Sequence, residues 1–165
     1  PFLYMVIILV SVMPSWWGVG WQVSSLLIIM VLFSWTGMTY YIRASVYREK
    51  SRDYISAAKV IGASPLRIIL KHLLPNVIST LVTFAPFTIA AAVSSITALD
   101  FLGYGLPPPT PSWGELLKQG VNNLRIAPWI VISSVSILVL TLTLVTFVGE
   151  AVREAFDPKK FSTYE

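Results

Sequence analysis

The chain has 165 residues, 55% of them hydrophobic and only 12% charged, with a formal net charge of +4. Soluble domains carry about 25% charged residues, so this composition belongs to a membrane protein. With no cysteine and one histidine, His72, the chain has no disulfide or thiolate metal site and little means for metal or general-base chemistry; its basic residues sit beside apolar runs, which argues against nucleic acid as a partner.

Four apolar stretches are predicted as helical spans, at about residues 1–14, 23–41, 77–99 and 128–149. The first is short and no Met opens it, so the chain is expected to be an N-terminally shortened fragment of a longer protein. The Trp-rich connection "PSWWGVGW" at 14–21 and the pair Tyr40–Tyr41 suit the two membrane–water interfaces. Pro86 lies inside the third span and predicts a kink. No Asp, Glu, Lys, Arg or His lies within the spans, which speaks against an ion-coupled pump. Ser133, Ser136, Thr143 and Thr146 read as helix–helix contacts, with a polar substrate path as the alternative.

Orientation follows from the basic residues. Arg43, Arg48, Lys50, Arg52, Lys59, Arg67 and Lys71 fall within 42–76, whereas 100–127 has only Lys118 and Arg125. The 42–76 side and the C-terminal tail, 151–165, are therefore expected in the cytoplasm, and 100–127 outside.

Residues 53–75 read as a hairpin of two short amphipathic helices. Ser51 or Asp53 caps the first, in which Tyr54, Ala57, Ala58 and Ile61 form one face. Gly62 sits where a left-handed residue closes a helix. Ser64 caps the second helix with Pro65 in its first turn, Leu66, Ile69, Leu70 and Leu73 repeat the apolar spacing, and Pro75 is expected to end the element. Helices of about ten residues are marginal alone, so the apolar face needs a cover. That cover is either the lipid surface and the chain's own spans, or a second protein closing around the small Ala57 and Ala58.

The outer stretch opens with "PPPTP" at 107–111, too Pro-rich for a helix. Ser112 then caps a predicted short helix from Trp113 to about Gly120, with Glu115 placed for a capping box. Asp100 reads as a solvated interface residue or a helix cap, with substrate contact as the minority alternative.

"AAKVIGASPLRIILKHLLP" resembles the signature of ABC importer permeases: Glu-Ala-Ala, three residues, Gly, nine residues, then Ile-x-Leu-Pro. The match falls on Ala57, Ala58, Gly62, Leu74 and Pro75; the chain departs from it at Ser56 and His72. "LDFLGYGLPPPTPSWGELL" and "FVGEAVREAFDPKKF" are similar to two further stretches of the dipeptide and oligopeptide permeases, with wording closest to the Yej-type branch linked to peptide and microcin C uptake.

The resemblance implies an all-α membrane protein with a type I ABC importer bundle, carrying four of six spans in a permease domain over 1–150. It implies an inner-membrane transport subunit, not an enzyme, with no cofactor of its own because ATP is bound by partners. Those partners are a sister permease, two ATPase subunits or one fused ATPase, a periplasmic substrate-binding protein, and the membrane lipid around the spans. Ser56, Ala57, Ala58, Gly62, Ser64, Pro65, Arg67, His72, Leu74 and Pro75 would couple the hairpin to the ATPase. Asp100, Gly103, Gly105, Pro108, Trp113 and Gly114 would shape the loop that faces the binding protein; a plain structural lid is the alternative for that loop. Competing functions are a membrane scaffold whose basic hairpin binds anionic lipid, and a passive channel.

Overall fold

The computed structural model describes residues 2–14 and 16–155. Among them are six helices and no strand: α1 (Phe2–Ser11), α2 (Val19–Lys50), α3 (Asp53–Val60), α4 (Pro65–Leu102), α5 (Trp113–Asn122) and α6 (Pro128–Ala155). Helices α2, α4 and α6 are long and apolar enough to cross a membrane, and α1 is a shorter apolar helix. Apolar side chains are exposed along all three, among them Ile28, Leu32, Ile89, Leu140 and Phe147. Helices satisfy their backbone groups internally, which lets such surfaces sit in hydrocarbon.

All three of these rods exceed the spans expected from hydropathy, α6 by running on from residue 149 to Ala155. α2 continues from Tyr41 to Lys50, because "IRASVYREK" has no Gly or Pro and its last turn puts Arg48 and Lys50 at the negative end of the helix dipole. At about 1.5 Å per residue, its 32 residues reach about 48 Å, well past a hydrocarbon core of about 30 Å. α4 is continuous from the hairpin into the span. The expected break at Pro75 is corrected: the turn Ile68–Leu73 is a π-helix, and Leu74 N–H bonds to Ile69 O, five residues back. Proline lacks an N–H and its ring crowds the carbonyl four residues back; the wide turn immediately before Pro75 gives the helix a way through. Helix α4 also passes through Pro86 without interruption.

The chain divides into two compact units. The first holds the residues up to Trp35 together with Thr88–Val145. Its core joins Val6 of α1, Leu26 and Met30 of α2, and Leu99 of α4, with Ile96 and Leu106 packed on it. α4 ends in a Schellman turn: Gly103 has φ 83°, its N–H bonds to Asp100 O at 2.9 Å, and Tyr104 N–H bonds to Leu99 O at 2.8 Å. Ser112 caps α5 as expected, accepting from Glu115 N–H at 3.1 Å, while the Glu115 carboxylate takes its hydrogen bond from Gln119 Nε2 at 3.0 Å. Ser133 and Thr143 donate to carbonyls of their own helix, and the deeply buried hydroxyl is the neighbouring Ser134.

The second unit holds Thr36–Phe87 and the end of α6 from Thr146. A Cβ on Gly149 of α6 would sit 2.0 Å from Pro86 Cβ, so α6 and α4 touch closely where a side chain is missing. The hairpin core is Ile55, Ala58, Ile68 and Leu73, with Val46 of α2 and Ala63 packed on it.

Gly114 at the start of α5 allows that helix to lie against the backbone of α4. A Cβ there would stand 2.3 Å from Thr97 O and from Asp100 Cβ. Gly114→Val is expected to destabilise the protein by about 1–3 kcal/mol, the range for overpacking. Gly18→Ala, at a position with nothing within 4 Å, should leave the melting temperature unchanged when both are followed by tryptophan fluorescence.

Candidate functional site

The hairpin turn is built by local chemistry. Gly62 has φ 82°, its N–H bonds to Lys59 O at 3.0 Å, and Ala63 N–H bonds to Ala58 O at 3.0 Å. These two bonds make a second Schellman turn, with Ala58 and Ala63 as its hydrophobic pair. Ser64 then accepts from Arg67 N–H at 3.4 Å, with Pro65 in the first turn, as expected. The start of α3 differs from expectation: Arg52 occupies the cap position without a side-chain capping bond, and Ser51 Oγ bonds back to Arg48 O at 2.8 Å.

The two apolar stripes expected for the hairpin are also corrected. Ala58 is buried inside it with Ile55, so it is an internal contact and not a surface one, while Tyr54, Ala57 and Ile61 are exposed. In α4 the buried pair is Ile68 and Leu73, five residues apart, because the π turn places i and i+5 on one face. Leu66, Ile69 and Leu70 therefore point away from the hairpin core. With Val60 at 87% and Ile61 at 84% exposure, they form an uncovered apolar surface on an otherwise basic element.

Beneath the hairpin, α2 and α4 run antiparallel and meet every four residues. The rings of Tyr41 and Phe84 stack with centroids 4.3 Å apart. One turn on, Ser45 Oγ and Thr80 Oγ1 share a hydrogen bond of 2.9 Å. One turn further, Glu49 is 7% exposed and is held by Arg52 Nε at 3.1 Å and by Tyr54 Oη, which donates at 2.9 Å. Asn76 Nδ2 closes the network, donating to Tyr54 Oη at 3.1 Å and to His72 O at 2.7 Å. A buried carboxylate needs such partners, since an unpaired one is costly. The network ties the end of α2 to both arms of the hairpin. Sequence reasoning missed it; the signal available was the four-residue spacing of Tyr41, Ser45 and Glu49, mirrored by Phe84, Thr80 and Asn76.

The same residues wall a groove of about 950 Å3. Its rim carries Arg48, Arg52 and Arg153, and Ser79 and Thr83 complete its middle. Arg153 forms an exposed pair with Glu150 at 3.0 Å.

The coupling candidates thus lie together in the second unit. Ser56, Ala57, Gly62, Ser64, Pro65, Arg67, Leu74 and Pro75 are exposed, Ala58 is internal, and His72 is half-buried with its ring 6.2 Å from that of Tyr54. The outer-loop candidates lie in the first unit. Asp100 is corrected from a solvated residue to one only 5% exposed. Its Oδ1 accepts from Leu106 N–H, and its Oδ2 is buried without a partner. A Cβ on Gly105 would stand 1.7 Å from Asp100 Oδ1, so the glycine lets the loop close over the carboxylate. Pro108 is exposed and joined to Pro109 by a cis bond, Trp113 is half-buried and Gly114 buried. Among the described residues no acidic, His or Cys cluster is set to hold a metal.

Partial desolvation, and then the hydrogen bond and charge of Glu49, hold the Tyr54 phenol above its usual 10.0. A raised phenol pKa adds stability that is full below pH about 10 and is lost as pH climbs through the higher native value. Glu49→Gln should move the Tyr54 titration back toward the ordinary value, read as the ultraviolet difference between each protein and its Tyr54→Phe counterpart. An unmoved titration would mean that Glu49 does not act on this phenol.

Residues 1–162 match the family described as binding-protein-dependent transport system inner membrane component. The chain is 46% identical over 161 residues to the inner membrane ABC transporter permease protein YejE of Escherichia coli K12, covering 97% of this chain and 45% of that protein. It is 42% identical over 160 residues to the peptidoglycan transport system permease protein YejE of Agrobacterium fabrum, covering 97% of this chain and 40% of the other. It is 32% identical over 159 residues to the oligopeptide transport system permease protein OppC of Salmonella typhimurium, covering 96% and 51%. The chain spans about half or less of the length of these curated relatives. The matched family, the helical architecture and the ordered motifs agree, and the chain belongs to the inner-membrane components of binding-protein-dependent transport systems.

Proposed function

We propose that the protein is a permease subunit of an ATP-driven importer of peptides or peptide-like compounds in the bacterial inner membrane. Supporting the substrate class are the names of its relatives, which speak of oligopeptide and peptidoglycan transport, and the Yej-type wording that is linked to microcin C. Peptidoglycan fragments and peptide antibiotics share amide-linked chains, the chemistry common to these substrate classes.

In this reading residues 1–150 form the permease domain, and the hairpin couples it to a separate ATPase. The observation that carries the coupling role is the uncovered surface of Val60, Ile61, Leu66, Ile69 and Leu70. An apolar face rimmed by Lys59, Arg67 and Lys71 is suited to a protein cleft with an acidic edge. The Glu49–Tyr54–Asn76 network would pass its displacement to α2 and α4. A sister permease, paired ATPase subunits and a periplasmic binding protein complete the importer, the last resting on the 100–127 loop.

Ile61→Asp and Leu66→Asp should each weaken ATPase association about tenfold or more in detergent pull-downs, since a charge would replace a buried anchor. Arg43→Gln, outside the hairpin, should not. Retention of the ATPase by both Asp variants at the wild-type level would refute docking through this face.

Orientation has its own test. Residues 1–165 hold no cysteine, and in an otherwise cysteine-free background Lys59→Cys and Gln119→Cys give single labels. In intact spheroplasts an impermeant thiol reagent should modify position 119 and spare position 59. The reverse pattern would invert the topology.

A further inference from the structure

The groove of the second unit has an ordered polarity that the coupling role does not use. Along α2 it runs from Tyr41 through Ser45 to Arg48, and along the antiparallel α4 it runs from Phe84 to Thr80. The stacked rings make its apolar end, the Ser45–Thr80 pair its weakly polar middle, and arginines its rim. Seven residues separate Tyr41 from Arg48, about 10 Å along the helix. That is somewhat more than the depth of one interfacial region of a bilayer, about 5–8 Å, so the apolar end reaches just below it.

The charges at the rim are unequal. Glu49 is satisfied by Arg52 and Tyr54. Arg48 lies 3.9 Å from that same carboxylate with its side chain 71% exposed, and among the described residues Arg153 pairs with the exposed Glu150. Exposed pairs of this kind are worth little, so both guanidinium groups are available to an anion. Guanidinium groups bind phosphate bidentately, and hydroxyl hydrogens rotate to face ester oxygens.

We propose that this groove binds one anionic phospholipid, with its phosphate between Arg48 and Arg153, its glycerol esters at Thr80, whose hydroxyl the buried Ser45 holds in place, and the start of an acyl chain against Tyr41 and Phe84. A free phosphate would use the rim alone and leave the aromatic end empty; the graded wall favours the lipid. The leaflet assigned to it, the cytoplasmic one, rests on the orientation reading above, but the binding itself does not.

The test is native mass spectrometry of the purified full-length protein in detergent, titrated with phosphatidylglycerol, phosphatidylethanolamine or inorganic phosphate. The wild type should retain phosphatidylglycerol in preference to phosphatidylethanolamine. Basic groups near a membrane surface each change anionic-lipid binding about fivefold. Arg48→Gln with Arg153→Gln should therefore weaken phosphatidylglycerol binding about 25-fold, whereas Arg43→Gln, outside the groove, should leave it intact. Tyr41→Ala should weaken the lipid as well but have no effect on inorganic phosphate. Equal retention of the two lipids, wild-type binding by the double arginine variant, or displacement of the lipid by equimolar phosphate would each overturn the proposal. Because detergent micelles have no sides, an inverted topology in the cysteine experiment would change the leaflet and leave this result standing.

Discussion

The antiparallel contact between α2 and α4 in the second unit is the constraint on which the hairpin depends. Three successive rungs, an aromatic stack, a hydroxyl pair and a buried ionic network, recur every four residues on both helices. Each rung differs in chemistry because each lies further from the apolar centre of the span. The last rung is the decisive one: Glu49 is nearly buried, and Arg52 and Tyr54 together make that burial tolerable. Those two residues lie at the start of α3, and Asn76 belongs to α4, so satisfying one carboxylate fixes both arms of the hairpin to the spans.

A hairpin of this size would not hold its shape alone in water. Its own core amounts to four residues, Ile55, Ala58, Ile68 and Leu73. What makes it a definite object is the combination of the Gly62 turn, the Ser64 cap, that small core and the Glu49 network. The absence of a break at Pro75 matters for the proposed mechanism. Because α4 is one helix from Pro65 to Leu102, the hairpin's second arm and the span are the same rod. A displacement at Leu66 would enter the span along one continuous helix, through the π turn and past Pro75.

The first unit solves a different problem with glycine. Gly105 and Gly114 remove side chains where the outer loop and α5 approach Asp100 and the α4 backbone, and Gly103 supplies the left-handed residue that turns the chain there. Asp100 then acts as a staple, its Oδ1 receiving Leu106 N–H so that the Pro-rich stretch starts from a defined point. The surface offered by this loop is therefore shaped by contacts beneath it.

Much of this was legible from local chemistry. The helical membrane class, the three long spans, the positive-φ glycine at position 62 and the caps at Ser64 and Ser112 follow from apolar length and from hydrogen bonds reaching no more than five residues along the chain. The tertiary structure decided what depends on distant neighbours. It selected Ile55 and Ala58 over the overlapping stripe of Tyr54, Ala57 and Ile61, because Val46 and the π-turn residues Ile68 and Leu73 stand on that side. It carried α4 through Pro75, buried Asp100 under a loop whose glycines leave room for it, and brought Asn76 to a tyrosine 22 residues away. A sequence window sees a residue's periodicity but not the partner that covers it. For short amphipathic helices with two candidate faces, only that partner makes one face the inside.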